Sequence, residues 1–128
     1  MSKLQTPFRY DFVGSLLRPK ALKDAKAAYR DGKITKDEFD KDVNEEITKV
    51  VAKQKELGFH AITDGEFRRT FWHLDFMWGF EGVAHENTGN GVKFDAELAV
   101  LDDTYLVGKI KAKAHPCVEY FKFLKQFE

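Results

Sequence analysis

A long amphipathic segment between two short apolar runs is the feature that most restricts the fold of this chain. Apolar residues recur at three- and four-residue steps from Phe39 to Leu57, among positions that are mostly charged, which predicts a helix with one apolar stripe. Short β-prone runs lie at residues 10–13 and 59–63. Strand, helix, strand is the βαβ unit, which builds parallel sheets covered by helices. The first half of the chain is therefore predicted to be α/β.

Local signals define the ends of two predicted helices. Pro19 suits the first turn of the first helix, and Gly32 suits its left-handed end because it has no Cβ. Thr35 and Glu38 have the spacing of a capping box, which predicts the start of the second helix. Gly58 is expected to end it.

The pattern changes beyond Phe80. Residues 92–100 alternate with period two, a turn-rich stretch precedes them, and a β-prone segment follows at 104–111, which is typical of antiparallel strands. We therefore divide the chain into three predicted segments: a βαβα start (1–80), an inserted antiparallel β-meander (81–112) and a final helix (113–128).

Charge and composition argue against several partner classes. The 21 basic and 21 acidic side chains of this 128-residue chain cancel, so it lacks the positive field that binds nucleic acid or anionic membranes. No apolar run approaches the roughly 20 residues of a membrane span, and the N-terminus lacks the apolar core of a secretory signal. We expect a cytoplasmic protein with no nucleic-acid and no membrane partner.

Two loops follow the two predicted parallel strands, at residues 14–19 and 64–69. They are expected to share the C-terminal edge of the sheet, where α/β folds bind ligands. Gly14 lets backbone approach a ligand, Ser15 offers a hydroxyl, and Glu66 can hold an ammonium group or act on a proton. Ordinary turn and helix-start chemistry is the alternative for both loops. Planar guanidinium groups that can bind carboxylate or phosphate come from Arg18, Arg68 and Arg69.

Three ordered motifs resemble the cobalamin-independent methionine synthase family. They are residues 12–19, the pair Lys53-Gln54 with Gly58, and residues 62–69 with Trp72. The resemblance runs from about Phe8 to the end of the chain and is strongest with short, single-barrel bacterial members, similar to the catalytic C-terminal half of the full enzyme. It implies the N-terminal portion of a (β/α)8 TIM barrel, because a complete barrel takes about 250 residues.

The resemblance also implies a reaction, the transfer of a methyl group from a methylated folate to the thiol of homocysteine, using a zinc-bound thiolate. In that family the Gly-Ser loop and the glutamate of an Asp/His-Gly-Glu motif hold the amino-acid substrate. Carried over, Glu66 holds the substrate ammonium, and Trp72 either stacks on a pteridine-like ring or packs in a core. No catalytic residue is assigned. The full set of implied substrate-binding residues is Ser15, Glu66, Gly14, Val13, Arg68, Arg69 and Trp72.

Zinc in this family is held by a His-x-Cys pair, a glutamate and a further cysteine on later strands, which this chain lacks. His115 and Cys117 imitate the pair in letters but open a predicted helix, and no second cysteine exists. We therefore expect no zinc on this chain and no activity from the chain alone. The alternatives are a non-catalytic binding or self-assembling module, a possible homo-oligomer, and a related thiol methyl- or alkyltransferase.

Overall fold

The computed structural model describes residues 14–86, 91–94, 97–100 and 102–128. The chain divides into two compact units, Met1–Arg69 with Phe127, and Thr70–Gln126 with Glu128; they are called the first and second unit. The predicted strand at residues 10–13, with the site residue Val13, lies outside the described residues.

Two helices build the first unit, α1 (Lys20–Arg30) and α2 (Lys36–Glu56). They pack against each other along their apolar sides. Their predicted stripes are only partly buried, since Tyr29 and Leu57 are exposed. Leu57 caps the end of α2, and Tyr29 stacks on Phe39 with ring centroids 4.9 Å apart. Among the described residues of this unit, the buried apolar side chains are Leu22, Ala25, Val43, Ile47, Val51 and Phe67.

The helix ends follow the sequence signals. The Glu38 amide donates to the Thr35 hydroxyl at 3.2 Å and the Thr35 amide donates to the Glu38 carboxylate at 2.7 Å, which completes the capping box. Gly32 and Gly58 have φ angles of +70° and +79°. At each of them the chain leaves its helix through the paired hydrogen bonds of a Schellman motif, which satisfies carbonyls that the helix leaves open.

The predicted strand at residues 59–63 is wrong: the chain there is irregular. Its backbone groups are satisfied by other partners, since the Phe59 amide donates to the Gln54 carbonyl at 3.1 Å and Thr63 pairs with the Gln54 side chain. A parallel strand needs a neighbouring strand for its ladder. Residues 59–63 instead form hydrogen bonds with Gln54 near the end of α2.

The second unit contains antiparallel strands, as predicted, but they do not form a meander. β1 (Glu81–Glu86) pairs with β4 (Asp103–Lys111), and β2 (Gly91–Phe94) pairs with β3 (Glu97–Val100). The period-two run at 92–100, a pattern that also fits one long strand, contains two paired strands, because β2 and β3 are antiparallel with Phe94 opposite Glu97. Alternation alone cannot distinguish one long strand from two short paired ones.

Glycine shapes the β1–β4 pair. The register shifts between Glu81 and Val83, and Gly82 between them has a φ of +81°. A Cβ at Gly82 would lie 2.6 Å from the carbonyl oxygen of Lys109. The bulge therefore requires glycine at this position.

Two helices complete the second unit, the single turn α3 (Leu74–Met77) and α4 (Pro116–Lys125). Pro116 begins α4 as predicted, with His115 as N-cap. The described fold is thus mixed α and β with antiparallel pairing, and the TIM-barrel portion remains a prediction. Within the described ranges, no helix is both long and apolar enough to cross a membrane.

Candidate functional site

The two predicted loops lie side by side in the first unit. The Leu16 amide donates to the Gly65 carbonyl at 3.1 Å, and the Arg18 guanidinium donates to the Glu66 carbonyl at 3.1 Å. Their adjacency was predicted from two parallel strands, one of which is absent at 59–63. The loops are instead joined directly by backbone and side-chain hydrogen bonds.

The second loop is a tight turn fixed by its own polar side chains. The Glu66 amide donates to the Asp64 carboxylate at 2.9 Å, and the Gly65 amide donates to the Thr63 hydroxyl at 3.1 Å. Gly65 is buried with a φ of +65°, and a Cβ there would lie 3.1 Å from the Leu16 Cβ. Close approach of the first loop therefore depends on the glycine.

Glu66 occupies a strained backbone conformation. Its φ of +58° is left-handed, which costs a residue with a side chain about 1–2 kcal/mol. Its carboxylate is 23% exposed and lies 3.7 Å from the Arg69 guanidinium, beyond hydrogen-bond length. A partly buried carboxylate that is only loosely paired can accept a second cationic group, and backbone strain of this kind is frequent at ligand sites.

The basic side chains around the loop mainly support its backbone. Arg18 also donates to the Arg69 carbonyl at 3.3 Å, and Lys26 donates to the same carbonyl at 2.7 Å. Arg68 donates to the Asn44 side chain on α2. Of the two arginines predicted for the substrate, Arg69 therefore lies beside Glu66, whereas Arg68 ties the loop to a helix.

Gln54 is a supporting residue whose role the sequence did not predict. Its side chain is buried, with the residue 3% exposed, and it accepts from the Thr63 amide at 2.9 Å and donates to the Thr63 carbonyl at 2.8 Å. This pairing mimics a strand neighbour immediately before Asp64. The available signal was the Lys53-Gln54 motif on a helix face that otherwise carries apolar residues.

The remaining predicted site residues fall into different places. Gly14 and Ser15 are exposed at the start of the first loop, and Gly14 has a φ of +86°. Trp72 belongs to the second unit, where it is 72% exposed and its ring centroid lies 4.5 Å from that of His73. The alternative that Trp72 fills a core is therefore wrong.

His115 and Cys117 do not fit a metal ion. The Cys117 amide donates to His115 Nδ1 at 3.2 Å, which caps α4, and His115 Nε2 lies 2.8 Å from the Phe76 carbonyl, so both ring nitrogens already have partners. Across the described part of the chain, no three His, Cys, Asp or Glu side chains are grouped to hold a metal. The residues present here do not match the zinc set that the family implies.

Comparison with known proteins identifies the family. Residues 10–94 match the family described as cobalamin-independent synthase, catalytic domain. The chain belongs to the cobalamin-independent methionine synthase family. The match covers both loops of the candidate site, and in the described residues it ends with β2.

Particular relatives agree with this assignment. The chain is 38% identical over 122 residues to an uncharacterized Bacillus subtilis protein, covering 95% of this chain and 32% of that protein. It is 30% identical to a Sulfolobus acidocaldarius methionine synthase, covering 88% of this chain and 32% of the relative. The chain is also similar to a Listeria monocytogenes protein whose crystal structure is described as that of a proposed vitamin-B12 independent methionine synthase. The two superpose with a TM-score of 0.76 at 39% identity, over 98% of this chain and 34% of the Listeria chain. The chain spans about a third of the length of these relatives.

Proposed function

We propose that the chain binds an amino-acid thiol of the homocysteine type at the Glu66 loop, as the substrate-binding N-terminal portion of a methyltransferase barrel. The observation that carries this proposal is the contact of the two loops, in which the Leu16 amide bonds to the Gly65 carbonyl at 3.1 Å. Leu16 follows Ser15 and Gly65 precedes Glu66, so this contact supports a shared site, and both loops fall within the residues 10–94 that match the family.

Each residue has a distinct role in the proposal. The Glu66 carboxylate takes the substrate ammonium, because a charge-assisted hydrogen bond replaces its long 3.7 Å contact with Arg69. Ser15 and Gly14 line the same site, Ser15 through its backbone and hydroxyl groups and Gly14 through its backbone. Trp72 is proposed as a stacking surface for the second substrate, on the strength of its exposed ring.

The reaction proposed for the assembled barrel is methyl transfer from a methylated folate to the homocysteine thiol. The bond from the methyl carbon to the folate nitrogen breaks, a bond from that carbon to sulfur forms, and the thiol proton passes to the folate. The described residues lack the zinc ligands, so no step is assigned to the metal. In this proposal the present chain binds and orients the amino acid, and transfer needs the later strands.

Calorimetric titration with homocysteine tests the assignment of Glu66. We expect wild-type protein to bind homocysteine more tightly than 4-mercaptobutyrate, which lacks the ammonium group, by about tenfold or more. Glu66→Gln should remove most of that preference, because a neutral amide cannot pair with an ammonium charge.

Glu56→Gln is the matched control, since Glu56 lies on the exposed side of α2 and pairs with Lys53. It should keep the full preference for homocysteine. Equal affinity of wild-type protein for the two thiols would contradict the ammonium role of Glu66, and tight binding of 2-mercaptoethanesulfonate instead would favour a related thiol transferase.

A second candidate function, self-assembly, is favoured by exposed apolar side chains in the second unit. Exposed apolar groups of this size promote association. Sedimentation velocity over a concentration series should then show a dimer of the chain, and a compact monomer at all concentrations would contradict this candidate. The side chains concerned are Leu106, Val107, Ile110, Val118 and Phe121.

A further inference from the structure

We propose that Arg18 is a positioning residue that sets the direction of the Glu66 carboxylate. This inference rests on the proposed function, because it concerns how the same loop is made ready for an ammonium ligand. Arg18 lies in the first loop, and from the sequence it was predicted only to bind carboxylate or phosphate.

Arg18 closes the turn that carries Glu66. A single guanidinium nitrogen, Nη2, lies 3.1 Å from the Glu66 carbonyl oxygen and 3.3 Å from the Arg69 carbonyl oxygen. The Arg69 amide donates to the Glu66 carbonyl at 3.1 Å across the same turn. Arg18 thus bridges the first and last residues of the turn, from a separate loop 48 and 51 residues earlier.

Both peptide groups that flank the Glu66 Cα are fixed. The amide on one side donates to the Asp64 carboxylate at 2.9 Å, and the carbonyl on the other accepts from Arg18 at 3.1 Å. With both peptide planes held, the left-handed φ of +58° is held as well. The direction of the Cα–Cβ bond then follows, because φ and ψ determine where the side chain leaves the backbone.

Arginine suits this position for geometric reasons. Its planar guanidinium offers several donors in a fixed arrangement and stays charged, so it can serve two carbonyl acceptors at once. The two hydrogen bonds from Arg18 therefore hold the backbone on both sides of the turn that carries Glu66.

Lys26 supplies the matched control. It donates to the Arg69 carbonyl at 2.7 Å from α1, so Lys26→Met removes a positive charge and this hydrogen bond to the same turn. Arg18 keeps its bridge to the Glu66 carbonyl in that variant. The two variants therefore separate the position of Glu66 from the general charge and stability of the loop.

The test uses Arg18→Met, Arg18→Lys and Lys26→Met in the full chain, with calorimetric titration of homocysteine and 4-mercaptobutyrate. Arg18→Met should lower the preference for homocysteine by about tenfold, and Lys26→Met by less than about twofold. Arg18→Lys should recover part of the preference, because an ammonium group can still donate to the Glu66 carbonyl. A purely structural role for Arg18 would weaken both thiols equally and leave their ratio unchanged, which would overturn the inference.

Hydrogen exchange of the Glu66 amide separates this inference from the proposed function. Exchange should rise about tenfold in Arg18→Met and change little in Lys26→Met, with α2 amides unaffected in both. If wild-type protein binds neither thiol but exchange behaves in this way, the proposed function fails and the positioning role of Arg18 stands. Unchanged exchange at Glu66 in Arg18→Met overturns the positioning role, whichever thiol binds.

Discussion

The two units of the chain are held together by different forces. The first unit buries a cluster of aliphatic side chains and Phe67 between α1, α2 and the Glu66 loop. Among residues 70–86 and 102–126 of the second unit, no large apolar side chain is fully buried. Its elements are held by polar and ring contacts, for example a 2.9 Å bond from Trp78 to Thr104 and the stacking of Trp78 on His85 at 3.9 Å.

This difference matters for the candidate site. Buried aliphatic area supplies most of the free energy that orders a small domain, so the unit that has it can fix a strained loop. Glu66 adopts its left-handed conformation directly beside Phe67, which is almost fully buried. Apolar side chains at residues 70–86 and 102–126 of the second unit are exposed or half-buried, so this part of the unit has less free energy available to fix comparable strain.

Unfolding of the two units can be followed separately. Both tryptophans, Trp72 and Trp78, lie in the second unit, so fluorescence reports on that unit. Far-UV circular dichroism reports mainly on the first, since α1 and α2 contribute 11 and 21 helical residues against 4 in α3 and 10 in α4. Urea titrations read by both probes give each unit its own midpoint if the transitions do not coincide.

The largest expected effect comes from truncating isoleucine in each unit. Ile47 is 0% exposed and Ile110 is 53% exposed. Ile47→Ala should lower the free energy of unfolding by about 2–5 kcal/mol in the dichroism transition, because it leaves a cavity. Ile110→Ala should cost less than about 1 kcal/mol in fluorescence. Equal losses would contradict the contrast between the two units.

A smaller loss of stability is expected from a substitution at Gly79. A Cβ there would lie 2.1 Å from His115 Nε2, so any side chain displaces the ring that caps α4. Gly79→Ala should destabilise the second unit by about 1–3 kcal/mol by fluorescence. Gly108→Ala is the control, because nothing lies within 4 Å of its added Cβ. A tolerated Gly79→Ala would show that the ring contacts do not hold this unit.

The strain at Glu66 predicts an unusual substitution effect. Glu66→Gly should leave the stability of the first unit unchanged or raise it by at most about 1 kcal/mol, since glycine adopts a left-handed φ without penalty. The same change in the middle of α2, Glu45→Gly, should cost about 1 kcal/mol. Homocysteine binding should be lost only in Glu66→Gly. A large loss of stability in Glu66→Gly would mean that the Glu66 side chain stabilises the packing of the first unit.

The smallest expected effect is a pH dependence at the start of α2. Hydrogen bonds from the backbone and then the side chain of Thr35 lower the pKa of Glu38 below its usual value of 4.5. Because the pKa of Glu38 is lower in the folded state, the stabilisation is fully present above the usual value of 4.5. It is lost as pH falls through the folded pKa. The advantage of wild-type protein over Glu38→Gln in urea should therefore shrink on acidification. A constant difference would contradict the role of the charged carboxylate.

In the first unit, the ends of the helices were predicted correctly from the sequence, whereas the strand at 59–63 was not. Helix caps at Thr35, Gly32 and Gly58 depend on a few neighbouring residues, so short motifs identify them. The prediction of a strand at 59–63 was wrong because strand formation depends on a partner strand that local sequence does not reveal. The buried side chain of Gln54 pairs with the Thr63 backbone instead.

Pairing in the second unit was predicted only in its type. Antiparallel patterning was evident, but the partners were wrong, since β1 pairs with β4 across the β2–β3 hairpin. Of the site, the adjacency of the two loops was predicted, although from two parallel strands of which the one at 59–63 is absent. The bridging role of Arg18 was not, because it depends on where one nitrogen lies between two carbonyls.

Native-state hydrogen exchange of the wild-type chain tests most directly whether the packed first unit holds the site loop. The amides of Leu16, Thr63 and Arg69 donate to partners within that unit. They should exchange more slowly than the amides of α4, because their opening disturbs the buried core. Slower exchange in α4 than at Leu16, Thr63 and Arg69 would contradict the account, since the loop would then be less ordered than a helix that buries no large apolar side chain.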